Sequence, residues 1–185
     1  MNLYNETKNI MKKYNINASK KLGQNFLIDD EIVREIVDYS NITKEDLVIE
    51  IGPGLGTLTE VLLEKAGKVI CIELDTRMIA ILRDRFSMYN NFEIVNDDVL
   101  KVNLKKIIAN NMGVAAHSYP GTCGQVPLQT NVKVVANLPY YITTPIIMKL
   151  LEENVGAAWN AVRVAWHAIP TNTVNYSNDT KRSSR

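Results

Sequence analysis

Cysteine is scarce in this chain of 185 residues: Cys71 and Cys123 lie far apart and form no metal-type cluster. No apolar run is long enough to span a bilayer. The first residues, Met1 to Thr7, lack the apolar core of a secretory signal. These absences favour a reducing, cytoplasmic setting without metal or membrane. Charge of one sign is also missing. The net charge is +1, so bulk charge argues neither for nor against a nucleic-acid partner. What is present, 46% hydrophobic residues, is enough for one domain with a real core.

The order of elements comes from apolar runs and helical spacing. Leu47–Ile51, Val69–Glu73, Phe92–Val95 and Val132–Ala136 read as strands. They are near-continuous apolar runs, as expected of strands covered on both faces. Between and around them, Asp30–Tyr39, Thr57–Lys65, Thr76–Tyr89, Leu104–Asn110 and Thr144–Glu153 read as helices, with Thr76 a cap and Pro145 in a first turn. Repeated β-α units imply an α/β fold with a doubly wound, mostly parallel sheet. Residues 1–28 form a basic arm in which Lys8, Lys12, Lys13, Lys20 and Lys21 face only Glu6 before Gln24. Such an arm suits phosphates or is simply a solvated terminus; charge alone favours the latter. Residues 113–131 have no periodicity and read as a long inserted loop.

Glu50-Ile51-Gly52-Pro53-Gly54-Leu55-Gly56 joins the first strand to the next helix. Glycines there let the backbone pass close to a ligand. The third glycine of a dinucleotide fingerprint would fall at Thr57, which breaks that pattern. Glu50 would oppose a pyrophosphate but suit an ammonium or sulfonium. Glu73, ending the second strand, lies where a carboxylate can accept ribose hydroxyls. Together they favour S-adenosylmethionine over NAD. Asp97-Asp98 follows the third strand; one of the pair is placed to accept from an adenine amino group, or both belong to a polar turn.

Asn137-Leu138-Pro139-Tyr140-Tyr141 follows the fourth strand. The amide oxygen and nearby carbonyls can accept the hydrogens of an exocyclic amino group while a tyrosine stacks on the attached base. A plain strand-ending turn fits the same five residues.

These motifs, with Lys20-Lys21-Leu22-Gly23-Gln24-Asn25-Phe26-Leu27 and Glu73-Leu74-Asp75, resemble the small-subunit ribosomal RNA adenine N6,N6-dimethyltransferases. The resemblance runs from about Ser19 to Glu153. It implies a Rossmann-like, class I S-adenosylmethionine-dependent methyltransferase. Asn25, Leu27, Glu50, Gly52, Gly54, Glu73, Asp98 and Asn137 would then bind the cofactor. Asn137, Leu138, Pro139 and Tyr140 would hold the target adenine, and Lys20, Lys21 and Tyr140 would meet RNA. The implied partner is the small ribosomal subunit, with the protein acting as a monomer. The macrolide-resistance 23S rRNA adenine methyltransferases share the plan.

After Val155 the family's fifth strand, final hairpin and helical C-terminal domain are not recognisable, so the sheet is expected to be incomplete on its C-terminal side. Residues 156–185 read as a divergent tail, with Ala161 to His167 alternating as a strand would. Alternatives are a non-catalytic remnant that binds cofactor or RNA only and, more distantly, a dinucleotide oxidoreductase.

Overall fold

The computed structural model describes residues 3–16, 26–111, 131–153 and 155, and at Tyr140 the backbone alone. The expected contacts of Asn25, Lys20 and Lys21, the ring of Tyr140, most of the inserted loop and the tail therefore lie outside the described residues.

Ten elements follow in order: α1 (Leu3–Lys13), α2 (Asp30–Tyr39), β1 (Asp46–Ile51), α3 (Thr57–Lys65), β2 (Lys68–Glu73), α4 (Thr76–Arg85), β3 (Phe92–Asn96), α5 (Leu104–Asn111), β4 (Asn131–Ala136) and α6 (Tyr140–Glu152). The strands pair in parallel in the order β3-β2-β1-β4. The chain winds outward from β1 to β3, then returns across β1 to lay down β4. The switch point thus falls between β1 and β4, where Ile51 is in register with Ala136. Ligands of open α/β sheets bind in the crevice at such a point, beyond the carboxyl ends of the strands.

Both faces of the sheet are covered. Val48, Val69, Cys71 and Val135 pack against α1 to α4. Ile49, Ile51, Ile72, Val134 and Ala136 pack against α5 and α6. Among the described residues β4 is an edge strand. It carries an inward charge, since the Lys133 ammonium pairs with Asp46 Oδ2 at 2.8 Å and donates to the Asn41 carbonyl. An inward lysine blunts an edge against further pairing.

Three local expectations change. Residues 3–13 are not only an arm: α1 buries Leu3, Thr7 and Met11 against the core, and Lys13 pairs with Asp84 at 3.1 Å. The cap of α4 is Asp75, not Thr76, because the Asp75 carboxylate accepts from the Arg77 N–H at 3.0 Å. Finally, α6 begins at Tyr140, so Pro145 sits inside the helix rather than in its first turn. The Pro139 carbonyl receives the Ile142 N–H at 3.2 Å and the Thr143 hydroxyl at 3.0 Å, which starts the helix early.

Candidate active site

A cavity of about 180 Å3 opens beyond the carboxyl ends of all four strands. Gly52 and Gly54 border it from the β1 loop, Glu73 and Leu74 from β2, Asp97 and Asp98 from β3, and Asn137, Leu138 and Pro139 from β4. Residues distant in sequence meet here because parallel strands all end on one side.

The β1 loop turns tightly. Gly52, Gly54 and Gly56 all have positive φ, at +67°, +58° and +84°. A Cβ on Gly56 would lie 2.5 Å from the Phe86 ring, so packing as well as backbone angle demands glycine there. Gly56 then starts α3.

Glu73 is nearly buried. Its Oε1 accepts the N–H groups of Leu74 and Asp75, each at 2.8 Å, and its Oε2 accepts that of Gly54 at 3.3 Å. Burial raises its pKa, and these three backbone bonds act against the rise. A carboxylate has about four lone-pair directions, of which three are taken, leaving one free to accept from a ligand.

Asp98 belongs to a polar turn and also borders the cavity. Its Oδ1 accepts the Leu100 N–H at 3.0 Å and its Oδ2 lies 3.7 Å from the Lys101 ammonium. Asp97, beside it, accepts the Asp98 N–H at 2.7 Å. The Asn137 amide has no hydrogen-bond partner among the described residues. It is half-buried and lines the cavity.

Glu50 stands elsewhere. Strand alternation turns it to the α3 face, where its Oε2 accepts from the Thr59 hydroxyl at 2.7 Å and from the Cys71 thiol at 3.4 Å. It does not line the cavity, in contrast to the expectation that it faces a cationic ligand. Burial pushes its pKa up to about 7, and its charge with burial drives the Cys71 thiol upward. Leu27 likewise packs against the core beside α2, while its neighbour Phe26 borders the cavity and rests on Gly54.

Phe26, Ile72, Leu74, Tyr141, Ile142 and Ile146 give the cavity apolar walls. Sequence reasoning assigned none of them to the site, because an apolar side chain carries no chemistry of its own to mark it. Among the described residues no three His, Cys, Asp or Glu side chains converge as a metal site, and no helix is long and apolar enough to cross a membrane.

A family model, that of the ribosomal RNA adenine dimethylases, matches residues 15–171. The chain belongs to that family. The match runs past Glu153, where the recognisable motifs stop, into the residues expected to be a divergent tail. The Ribosomal RNA small subunit methyltransferase A of Alkaliphilus oremlandii is 47% identical over 150 residues, covering 81% of this chain and 47% of the relative. Its counterpart in Leuconostoc mesenteroides is 42% identical over 175 residues, covering 95% of this chain and 54% of the relative. The chain thus spans about half the length of the curated relatives it matches. Among solved structures, that of the 23S rRNA methyltransferase ErmE superposes with a TM-score of 0.53 at 29% identity, over 70% of this chain and 43% of that one. The architecture is the Rossmann-like fold of class I S-adenosylmethionine-dependent methyltransferases, family members being rRNA adenine dimethyltransferases.

Proposed function

We propose that this chain carries the cofactor and target-base site of an rRNA adenine N6-dimethyltransferase that modifies the small ribosomal subunit. The observation that carries the reading is the meeting, in one cavity at the switch point, of a carboxylate at the end of β2 with an amide at the end of β4 that has no partner among the described residues. The first suits a nucleoside ribose and the second an amino group awaiting transfer. The small-subunit assignment is favoured over the large-subunit one by identity: 42% and 47% to the small-subunit relatives against 29% to the 23S enzyme.

The residues present fit S-adenosylmethionine. Glu73 Oε2, with its spare lone pair, accepts a ribose hydroxyl, and the second hydroxyl is accepted if Gly54 or a neighbouring amide yields its place. Asp98 accepts from the adenine amino group. Gly52 and Gly54 let the backbone approach the methionine end, and Phe26, which borders the cavity, brings the N-terminal segment beside it. When bound, this cofactor supplies an electrophilic sulfonium methyl.

The target adenine enters unpaired or flipped out. Its amino nitrogen is a poor nucleophile because the lone pair is delocalised into the ring. Asn137 Oδ1 and a main-chain carbonyl accept the two amino hydrogens and hold the nitrogen pyramidal. That carbonyl is Leu138's, because Pro139's already accepts two donors. Tyr140 stacks on the base, and Lys20 and Lys21 meet phosphates. Catalysis is positioning plus electrostatics without a strong base.

The deciding experiment incubates the protein with labelled S-adenosylmethionine and small subunits lacking the modification. Labelled dimethyladenine supports the reading. Cofactor binding by calorimetry without any transfer would leave a binding remnant instead.

A further inference from the structure

Arg85, the last residue of α4, lies outside the cavity, and its side chain is only 13% exposed. Its guanidinium reaches three acceptors on three segments. One nitrogen donates to the Leu55 carbonyl, between Gly54 and Gly56. Another donates to Glu60 of α3 at 2.9 Å and to Glu6 of α1 at 3.2 Å. The guanidinium also lies over the ring of Phe86, 5.2 Å from its centroid, and that ring is the surface on which Gly56 sits. A planar fork with several fixed donors can serve such a set; a lysine, a single point charge, cannot.

The geometry points to Arg85 as a positioning residue for the glycine loop. From beneath, it pins the Leu55 carbonyl, and so anchors the downstream end of the turn whose upstream end is tied by the Gly54 N–H to Glu73, two peptides away. Through Glu6 it makes α1 a brace of the same loop, so the N-terminal helix bears on the cavity without touching it. The consequence for cofactor affinity rests on reading this loop as the cofactor cradle. The mechanical role does not.

The test measures amide hydrogen exchange and S-adenosylhomocysteine binding on the full chain in Arg85→Met, Arg85→Lys and Glu6→Gln. Expected in Arg85→Met are exchange across residues 52–56 about tenfold faster, with β1 and β2 unchanged, and affinity about tenfold weaker. Arg85→Lys should fall between this variant and the wild type. Glu6→Gln, which loosens only the α1 arm, should speed loop exchange by about threefold. The inference is overturned if loop exchange matches the wild type in all variants that fold, or rises only in step with β1 and β2. Should Arg85→Met fail to fold, the other two decide by the same readout. If the wild-type chain binds no S-adenosylhomocysteine, the cofactor reading fails while loop exchange still decides the role of Arg85.

Discussion

The backbone N–H of Gly54 donates to Glu73 Oε2 at 3.3 Å, joining the turn after β1 to the end of β2. The carboxylate proposed to bind ribose is thus held by the backbone itself, through this bond and those from Leu74 and Asp75. Preorganised groups lose little entropy on binding. Glu73→Ala removes a charged acceptor whose hydrogen bonds to a ligand are worth about 1.5–3 kcal/mol. S-adenosylhomocysteine affinity should fall by roughly 10- to 150-fold in calorimetry. Affinity within twofold of the wild type would refute the assignment.

The glycines of the loop should not respond alike. Gly56→Ala places a Cβ 2.5 Å from Phe86 Cε2 and 2.7 Å from Leu82 Cδ2 at φ +84°. Left-handed backbone costs a residue with a Cβ about 1–2 kcal/mol, and overpacking adds about 1–3. Gly52→Ala meets only Leu138 Cδ2 at an ordinary 3.7 Å, so the backbone cost stands alone. Denaturant titration should show Gly56→Ala about 1–3 kcal/mol less stable than Gly52→Ala. Equal losses would mean that the loop relaxes away from α4.

Most of this architecture was legible because the signals were local. The four strands are apolar runs that end in glycine, acid or amide, and parallel pairing brings those ends together. Where the reading missed, a distant contact outweighed the local one. The spacing Leu3, Thr7, Met11 is helical, but the lysines among those residues dominate a reading by charge; only the packed core shows which face is buried. Pro145 looks like a first-turn proline. The N–H it lacks would bond the carbonyl of Tyr141, a residue 66% exposed, so the loss falls where water can compensate and the helix continues upstream. Glu50 adjoins the glycines in sequence, but β alternation sends its side chain to the opposite face, a period-2 rule that the motif's wording obscures. Nothing in the sequence pairs Arg85 with Leu55, thirty residues away.

The buried carboxyl of Glu50 makes stability depend on pH. Its folded pKa, about 7, lies above the ordinary 4.5. The native state therefore holds a proton that the unfolded chain releases between those values. This contribution is fully present below about pH 4.5 and is lost as pH rises to about 7. The shift corresponds to about 3 kcal/mol at most. Glu50→Gln keeps an oxygen for the Thr59 hydroxyl and carries no charge to bury. It should be more stable than the wild type at pH 8 and no more stable at pH 4.5, as read by denaturant titration at both values. A constant difference across this range would place the titration elsewhere.

Asn137 and Thr143 separate chemistry from scaffolding at the end of β4. The Asn137 amide faces the cavity without a partner among the described residues, whereas the Thr143 hydroxyl is committed to the Pro139 carbonyl at 3.0 Å. Losing a donor or acceptor aimed at developing charge typically costs about 10²–10³ in turnover. Asn137→Ala should therefore cut methyl transfer to unmodified small subunits by about that factor. S-adenosylhomocysteine affinity should change much less, because the amide's proposed main partner is the target base. Thr143→Val frees one lone pair of the Pro139 carbonyl while the Ile142 N–H keeps the other. Its effect should appear first in stability, by about 1 kcal/mol. Its effect on transfer should be far smaller than that of Asn137→Ala. Were Thr143→Val to lower transfer as much, with stability unchanged, the Thr143 hydroxyl would belong to the amino clamp rather than to the scaffold. Single-turnover methylation, measured beside denaturant titration for both variants, distinguishes these outcomes.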